Sequence, residues 1–120
     1  FSHDGTVFGY ITRQIVTSYD LENAVRLFQY EETRTGRHFT SFDIMPHTAG
    51  FICGLDEDGG RGVPDRHTTG YLYYIDQSGA IGWQDELHYE KWNIDVPAVR
   101  VENEHTFTVS TVDHMFRYEY

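Results

Sequence analysis

The stretch Ala-Ile-Gly-Trp-Gln-Asp-Glu-Leu-His-Tyr-Glu-Lys, residues 80–91, has the clearest alternation of apolar and polar side chains in this chain. Successive side chains of a β-strand point to opposite faces, so a period of two predicts a strand with one apolar face. That face would carry Ile81, Trp83, Leu87 and Tyr89. Asp85 is in phase with it. Residues 69–75 are aromatic and β-branched, and the turn residues at 76–79 predict that the two segments pair as a hairpin.

Working outward, three further stretches predict strands bounded by turn residues. They are residues 6–17, residues 50–55 and a segment that begins at Val99. Residues 107–120 predict a last strand, whose apolar phase changes from odd to even positions near Ser110. Such a change of phase is typical of a β-bulge.

Residues 20–34 allow two interpretations. A helix would be capped by Asp20 and would place Leu21, Val25 and Phe28 on one stripe. Alternatively, residues 25–32 and 37–44 would form a hairpin through a short loop that contains Gly36. The hairpin is favoured, because the rest of the chain consists of predicted strands that could pair with it.

These segments predict an all-β fold in a single domain, residues 1–120. We expect an antiparallel meander of about seven to eight strands with at most one short helix. Two architectures fit this pattern: a barrel with lipocalin-like architecture, or a two-sheet sandwich. A barrel of about eight strands has room inside for packed side chains or for one small ligand.

The chain is strongly acidic, with 19 Asp and Glu against 9 Lys and Arg and a net charge of −10. Such a surface repels phosphate, which argues against nucleic-acid binding, and attracts a basic partner or a cationic ligand. No apolar run has the length that a membrane span requires, so we expect a soluble protein without a membrane partner. The single Cys53 excludes an internal disulfide and is expected to be buried.

Asp85 and His114 are the candidate catalytic residues. A carboxylate on the core face of a strand is costly unless it is hydrogen-bonded or lines a cavity. Inside a barrel, Asp85 would act as a general base or would anchor a ligand amine, unless a bulge near Gln84 turns it outward. His114 lies beside the phase change of the last strand, where it would form an acid–base pair or serve as a buried structural residue.

Aromatic residues predict the walls of a ligand site. Tyr73, Trp83 and Tyr89 lie on the predicted hairpin, and an aromatic floor suits a planar molecule, a sugar ring or a cation. An ordinary aromatic core would give the same pattern.

A loop rich in Gly and Asp, residues 54–67, separates the two strand-rich halves of the chain. Asp56, Asp58 and Asp65 are candidate ligands for calcium, which prefers oxygen donors. The loop lacks the closing Glu of an EF-hand, and the alternative is a solvated loop without an ion.

Three functions are compatible with these features. The first is binding of a small organic molecule in an aromatic-lined cavity, with possible acid–base isomerisation or cyclisation and no required cofactor. The second is a calcium-dependent module that binds glycans. The third is an acidic module, of the inhibitor or immunity type, that binds a basic protein.

Overall fold

A computed structural model of the chain describes residues 1–46, 49–57, 69–88, 97–111 and 115–119. These residues form ten β-strands: β1 (Val7–Ile11), β2 (Ile15–Asp20), β3 (Val25–Glu31), β4 (Arg37–Ile44), β5 (Phe51–Glu57), β6 (Thr69–Ile75), β7 (Ile81–His88), β8 (Ala98–Asn103), β9 (Thr106–Ser110) and β10 (Met115–Glu119). All pairings are antiparallel, and the described residues contain no helix. The predicted all-β class is therefore confirmed.

The strands form three sheets, with the orders β1-β2-β3, β4-β5-β6-β7 and β10-β9-β8. In the part of the chain that the structure describes, they do not close into a barrel. The lipocalin-like alternative is therefore wrong, and the layers are more numerous than in a two-sheet sandwich. The reason lies in β5 and β6, which have buried side chains on both faces and so support a layer on each side.

We call the sheet β4-β5-β6-β7 the central sheet. The first hydrophobic cluster lies between the central sheet and the sheet β1-β2-β3. Its buried members are Val7, Val16, Phe28, Phe39, Ile44, Phe51, Cys53, Leu55, Tyr73 and Ile75. Gly9 lets β1 approach this cluster closely, because a Cβ at that position would lie 2.4 Å from the Phe51 ring. The glycine thus makes room for an aromatic ring, a role that its sequence neighbours do not reveal.

The second hydrophobic cluster lies between the other face of the central sheet and the sheet β10-β9-β8. It contains Met45, Ile52, Leu72, Leu87, Phe107 and Val109. Side chains of β4 hold the β8 backbone here. The Ser41 hydroxyl donates to the Pro97 carbonyl and accepts from the Val99 amide, and the Asp43 carboxylate accepts from the Val101 amide at 2.7 Å. These bonds fix the third sheet over the central one.

The predicted pairing of residues 69–75 with the strand that follows is confirmed in β6 and β7. A register shift lies at Gly82, because Ile75 pairs with Ile81 whereas Tyr74 pairs with Trp83. Ile81 consequently packs against the first cluster, and the prediction that it shares a face with Trp83 is wrong.

Two predicted single strands are hairpins. Residues 6–17 contain a turn at Thr12, whose amide and hydroxyl both bond to the Ile15 backbone. The phase change near Ser110 separates β9 from β10, which pair with each other, so it marks a connection between strands and not a bulge.

Residues 25–31 form a strand and not a helix, but the predicted pairing with residues 37–44 is wrong. β3 pairs with β2, and β4 pairs with β5. The two strands meet face to face across the first cluster, where the Tyr30 and Phe39 rings lie 6.1 Å apart. None of the described segments forms a helix of the length and apolar character needed to cross a bilayer.

Candidate functional site

A groove opens at the edge of the second cluster, between the central sheet and β10. It has a volume of about 400 Å³. Its lining residues are Met45, Ile52, Tyr74, Trp83, Phe107, Tyr118 and Glu119. Mostly apolar pockets of this size are typical of small-molecule sites. We call this feature the β7–β10 groove.

Three aromatic rings form one corner of the β7–β10 groove. Phe107 and Tyr118 are stacked, with centroids 4.8 Å apart and planes inclined by 5°. Trp83 stands almost perpendicular to both, at 6.2 Å from Phe107 and 5.9 Å from Tyr118. Phe107 is buried, whereas Trp83 remains 40% exposed and presents its indole to solvent. The corner is therefore buried at Phe107 and open to solvent at Trp83.

Asp85 lies at the rim of this groove. It is in phase with Trp83 and Leu87, as predicted, but it is exposed, so its expected enclosure inside a barrel is wrong. The physical reason is that β7 is the outermost strand of its sheet among the described residues, so the side chain of Asp85 reaches solvent, whereas Leu87 on the same face is buried in the second cluster. The Tyr118 hydroxyl donates to the Asp85 carboxylate at 3.2 Å.

This contact affects the acidity of Tyr118. Burial first, and then the charge and hydrogen bond of Asp85, raise the pKa of Tyr118 to about 12. The phenol therefore stays protonated at neutral pH and acts as a donor that orients the Asp85 carboxylate. Asp85 also accepts from the Glu86 amide at 2.9 Å.

Tyr73 does not line the β7–β10 groove. It belongs to the first cluster, on the opposite face of the central sheet, and is fully buried. Trp83 shares a face with Tyr74 instead, because the two residues are partners in register. The structure thus places Trp83 and Asp85 together, and it separates Tyr73 from both.

Tyr73 is the centre of a buried polar cluster that the sequence does not reveal. Its hydroxyl donates to the Glu32 carboxylate at 2.7 Å and accepts from Arg34 at 2.8 Å and from Arg37 at 2.7 Å. Arg37 also bonds to Glu57 at 3.3 Å. Burial, followed by the hydrogen bond to Glu32, raises the pKa of Tyr73 to about 12. The cluster satisfies a carboxylate that is 99% buried, and we interpret it as structural.

Of the predicted calcium ligands, only Asp56 lies within the described residues. It is 6% exposed, and its carboxylate lies 3.8 Å from the imidazole of His38. Within the described segments, no group of three or more His, Cys, Asp or Glu side chains is arranged to hold a metal. Asp58 and Asp65 lie outside the described residues, and the calcium site stays a prediction.

Tyr89 and His114 also lie outside the described residues. Besides the polar cluster around Tyr73, sequence reasoning missed Phe107 and Tyr118, which form the aromatic corner together with Trp83. Their only signal was the aromatic and apolar alternation of the last strands. Comparison of the chain with protein-family models, with curated proteins and with solved structures found no match.

Proposed function

We propose that this protein binds a small organic molecule with a flat apolar face in the β7–β10 groove. The observation that carries the proposal is the indole of Trp83, 40% exposed beside a groove of about 400 Å³. Covering exposed apolar surface is favourable by about 25 cal/mol per Å². Phe107 is buried and stacks on Tyr118, so a ligand would meet an aromatic surface that is already assembled.

Acid–base conversion of the bound molecule by Asp85 and His114 stays a prediction, because His114 lies outside the described residues. Binding is the function that the described groove supports best. Its aromatic lining supplies contact area, and the Asp85 carboxylate at the rim supplies a polar group that orients a ligand.

A neutral dye tests this proposal. N-phenyl-1-naphthylamine has a flat naphthalene ring and no charge, so the net charge of −10 does not repel it, and its fluorescence rises in an apolar site. We expect Trp83→Leu to weaken binding roughly tenfold, which corresponds to about 1.4 kcal/mol. Leu keeps the apolar character of the position but removes the flat ring.

The matched control is Tyr10→Leu. Tyr10 is an aromatic residue of almost equal exposure, 39%, on the sheet β1-β2-β3. Thermal melting establishes that both variants fold. Equal dye affinity in the two variants, or no dye binding by the unmodified protein, contradicts the proposal.

A further inference from the structure

We infer that the β7–β10 groove selects an organic cation whose charged nitrogen is fully methylated, that is, a quaternary ammonium group. The inference rests on the proposed function and specifies its ligand class. It is carried by two independent features of the groove: the aromatic corner at its wall and the carboxylates at its rim.

The aromatic corner offers the electrostatics that a large, weakly hydrated cation needs. Ring faces carry partial negative charge, and a cation within about 6 Å of a ring centroid is attracted to it, most strongly by Trp. Trp83 meets Tyr118 at 71°, so the two rings form adjacent walls and not a flat floor. A bulky cation seated against the exposed indole would contact both walls at once.

The charges around the corner are negative. Asp85 lies at the rim, bonded to Tyr118, and Glu119 belongs to the lining. No Lys or Arg of the described segments forms an ion pair with either carboxylate. Both charges are therefore available to a ligand, and the acidic surface as a whole attracts a cation.

The scarcity of hydrogen-bonding groups favours a methylated nitrogen over a primary amine. A primary ammonium has three N–H donors that need acceptors when they leave water. The lining is mostly aromatic and aliphatic, and among the described residues Glu119 is the one carboxylate in it. A quaternary ammonium has no N–H donor, so it loses none of these bonds when it contacts the rings.

Choline and 3,3-dimethylbutan-1-ol give a direct test. The two molecules have the same shape and differ in a charged nitrogen against a neutral carbon. We expect isothermal titration calorimetry to give about twofold to fivefold tighter binding of choline, as cation–π attraction at a partly exposed ring implies. The difference should shrink as salt is added, because salt screens the rim carboxylates.

Two charge-matched variants test the contribution of the rim. Asp85→Asn should weaken choline binding about threefold to tenfold and leave the neutral alcohol unaffected. Glu86→Gln removes the same charge from the adjacent residue, which points to the other face of β7, and should leave both affinities unchanged. Equal effects of the two substitutions overturn the role of Asp85.

The outcomes also separate this inference from the proposed function. If choline and the alcohol bind equally, or if only the neutral dye binds in a Trp83-dependent manner, the cation inference is wrong and the proposed function stands. If none of the three molecules binds, both are wrong.

Discussion

Removal of one hydroxyl group, in Tyr73→Phe, tests the interpretation of the buried polar cluster. The ring remains and still packs at 6.3 Å from Phe39, so the change leaves the apolar packing in place. The Tyr73 hydroxyl makes three hydrogen bonds, and each has a charged partner. All three are lost together.

The expected cost follows from these partners. A hydrogen bond to a charged group contributes about 1.5–3 kcal/mol to stability. The three bonds are not additive, because Arg34 is half-exposed and recovers a bond to water, and Arg37 retains Glu57. Glu32 keeps the Arg34 amide at 3.0 Å but loses its shortest bond. We therefore expect the free energy of unfolding to fall by about 3 kcal/mol.

Urea denaturation measures this loss. With a slope of about 1–3 kcal/mol per molar, the midpoint should fall by roughly 1 M or more. The matched control is Tyr74→Phe on the same strand. Tyr74 lies on the opposite face, and its hydroxyl has no hydrogen-bond partner among the described residues. This control should change stability by less than about 0.5 kcal/mol.

Alkaline pH supplies a second measurement with a defined sign. The pKa of Tyr73 is about 12 in the folded protein and 10.0 ordinarily. The unfolded chain therefore loses this proton first, so stability falls as the pH rises from 10 to 12. The contribution of Tyr73 is about 2–3 kcal/mol. Tyr73→Phe should show a shallower decline over this window. Some alkaline loss of stability should remain in this variant, because the pKa of Tyr118 is also about 12 in the folded protein.

A loss below about 0.5 kcal/mol at neutral pH, with an unchanged alkaline decline, would refute this account of the cluster. Glu32 would then have to be stabilised by groups other than Tyr73. A large loss in Tyr74→Phe as well would show that the central sheet is sensitive to any lost hydroxyl, and the argument from charged partners would fail.

Three further predictions concern packing, backbone and reactivity. Gly9→Ala should cost about 1–3 kcal/mol in chemical denaturation, and Phe51→Leu should relieve part of that cost, because the added Cβ would lie 2.4 Å from the Phe51 ring. Additive effects of the two substitutions would contradict the clash. Ala24→Gly should raise the melting temperature and the free energy of unfolding, the latter by about 0.5–1 kcal/mol, because Ala24 has a φ of 54° that favours Gly. A lower melting temperature would count against strain at this turn. Cys53 should react with Ellman's reagent only on unfolding, because it is fully buried and burial raises its pKa; rapid labelling of the native protein would be inconsistent with this burial.

Local signals account for the part of the fold that the sequence predicts. The β6–β7 hairpin follows from its turn, in which the Asp76 carboxylate accepts from the Ser78 amide at 2.8 Å and Gly79 has a φ of 86°. These contacts span two or three residues and are encoded where they occur. The strand character of residues 25–31 rests on context and not on a local signal, because the segment also fits a helical stripe and the predicted strands elsewhere in the chain favour a strand.

The candidate site is less predictable, because its geometry depends on which strands lie at an edge. Periodicity places Asp85 on the correct face, but it does not indicate that β7 is the outermost of the four described strands in its sheet. The register shift at Gly82 pairs Trp83 with Tyr74 and leaves Tyr73 on the opposite face. No residue pattern in the sequence signals the edge position of β7 or the register shift at Gly82.

Long-range polar contacts are the least predictable feature. Glu32 and Tyr73 are separated by 41 residues, and neither segment contains a motif that points to the other. Sequence reasoning treated Tyr73 as a wall of the ligand site, because an aromatic ring in a predicted strand suits a pocket and a core equally. Only the arrangement of the layers distinguishes these two roles.

The burial of both faces of the central sheet has a consequence for how its strands align. A slip of β6 by one residue would move Leu72 into the first cluster and Tyr73 into the second. Because both clusters are apolar, this move would cost little hydrophobic burial. Polar groups must therefore help to distinguish the correct alignment, because a slip would carry the Tyr73 hydroxyl to the other face of the sheet, away from Glu32, Arg34 and Arg37. A variant in which these groups were replaced by aliphatic residues would still collapse, but it would populate several misaligned pairings in place of one native order.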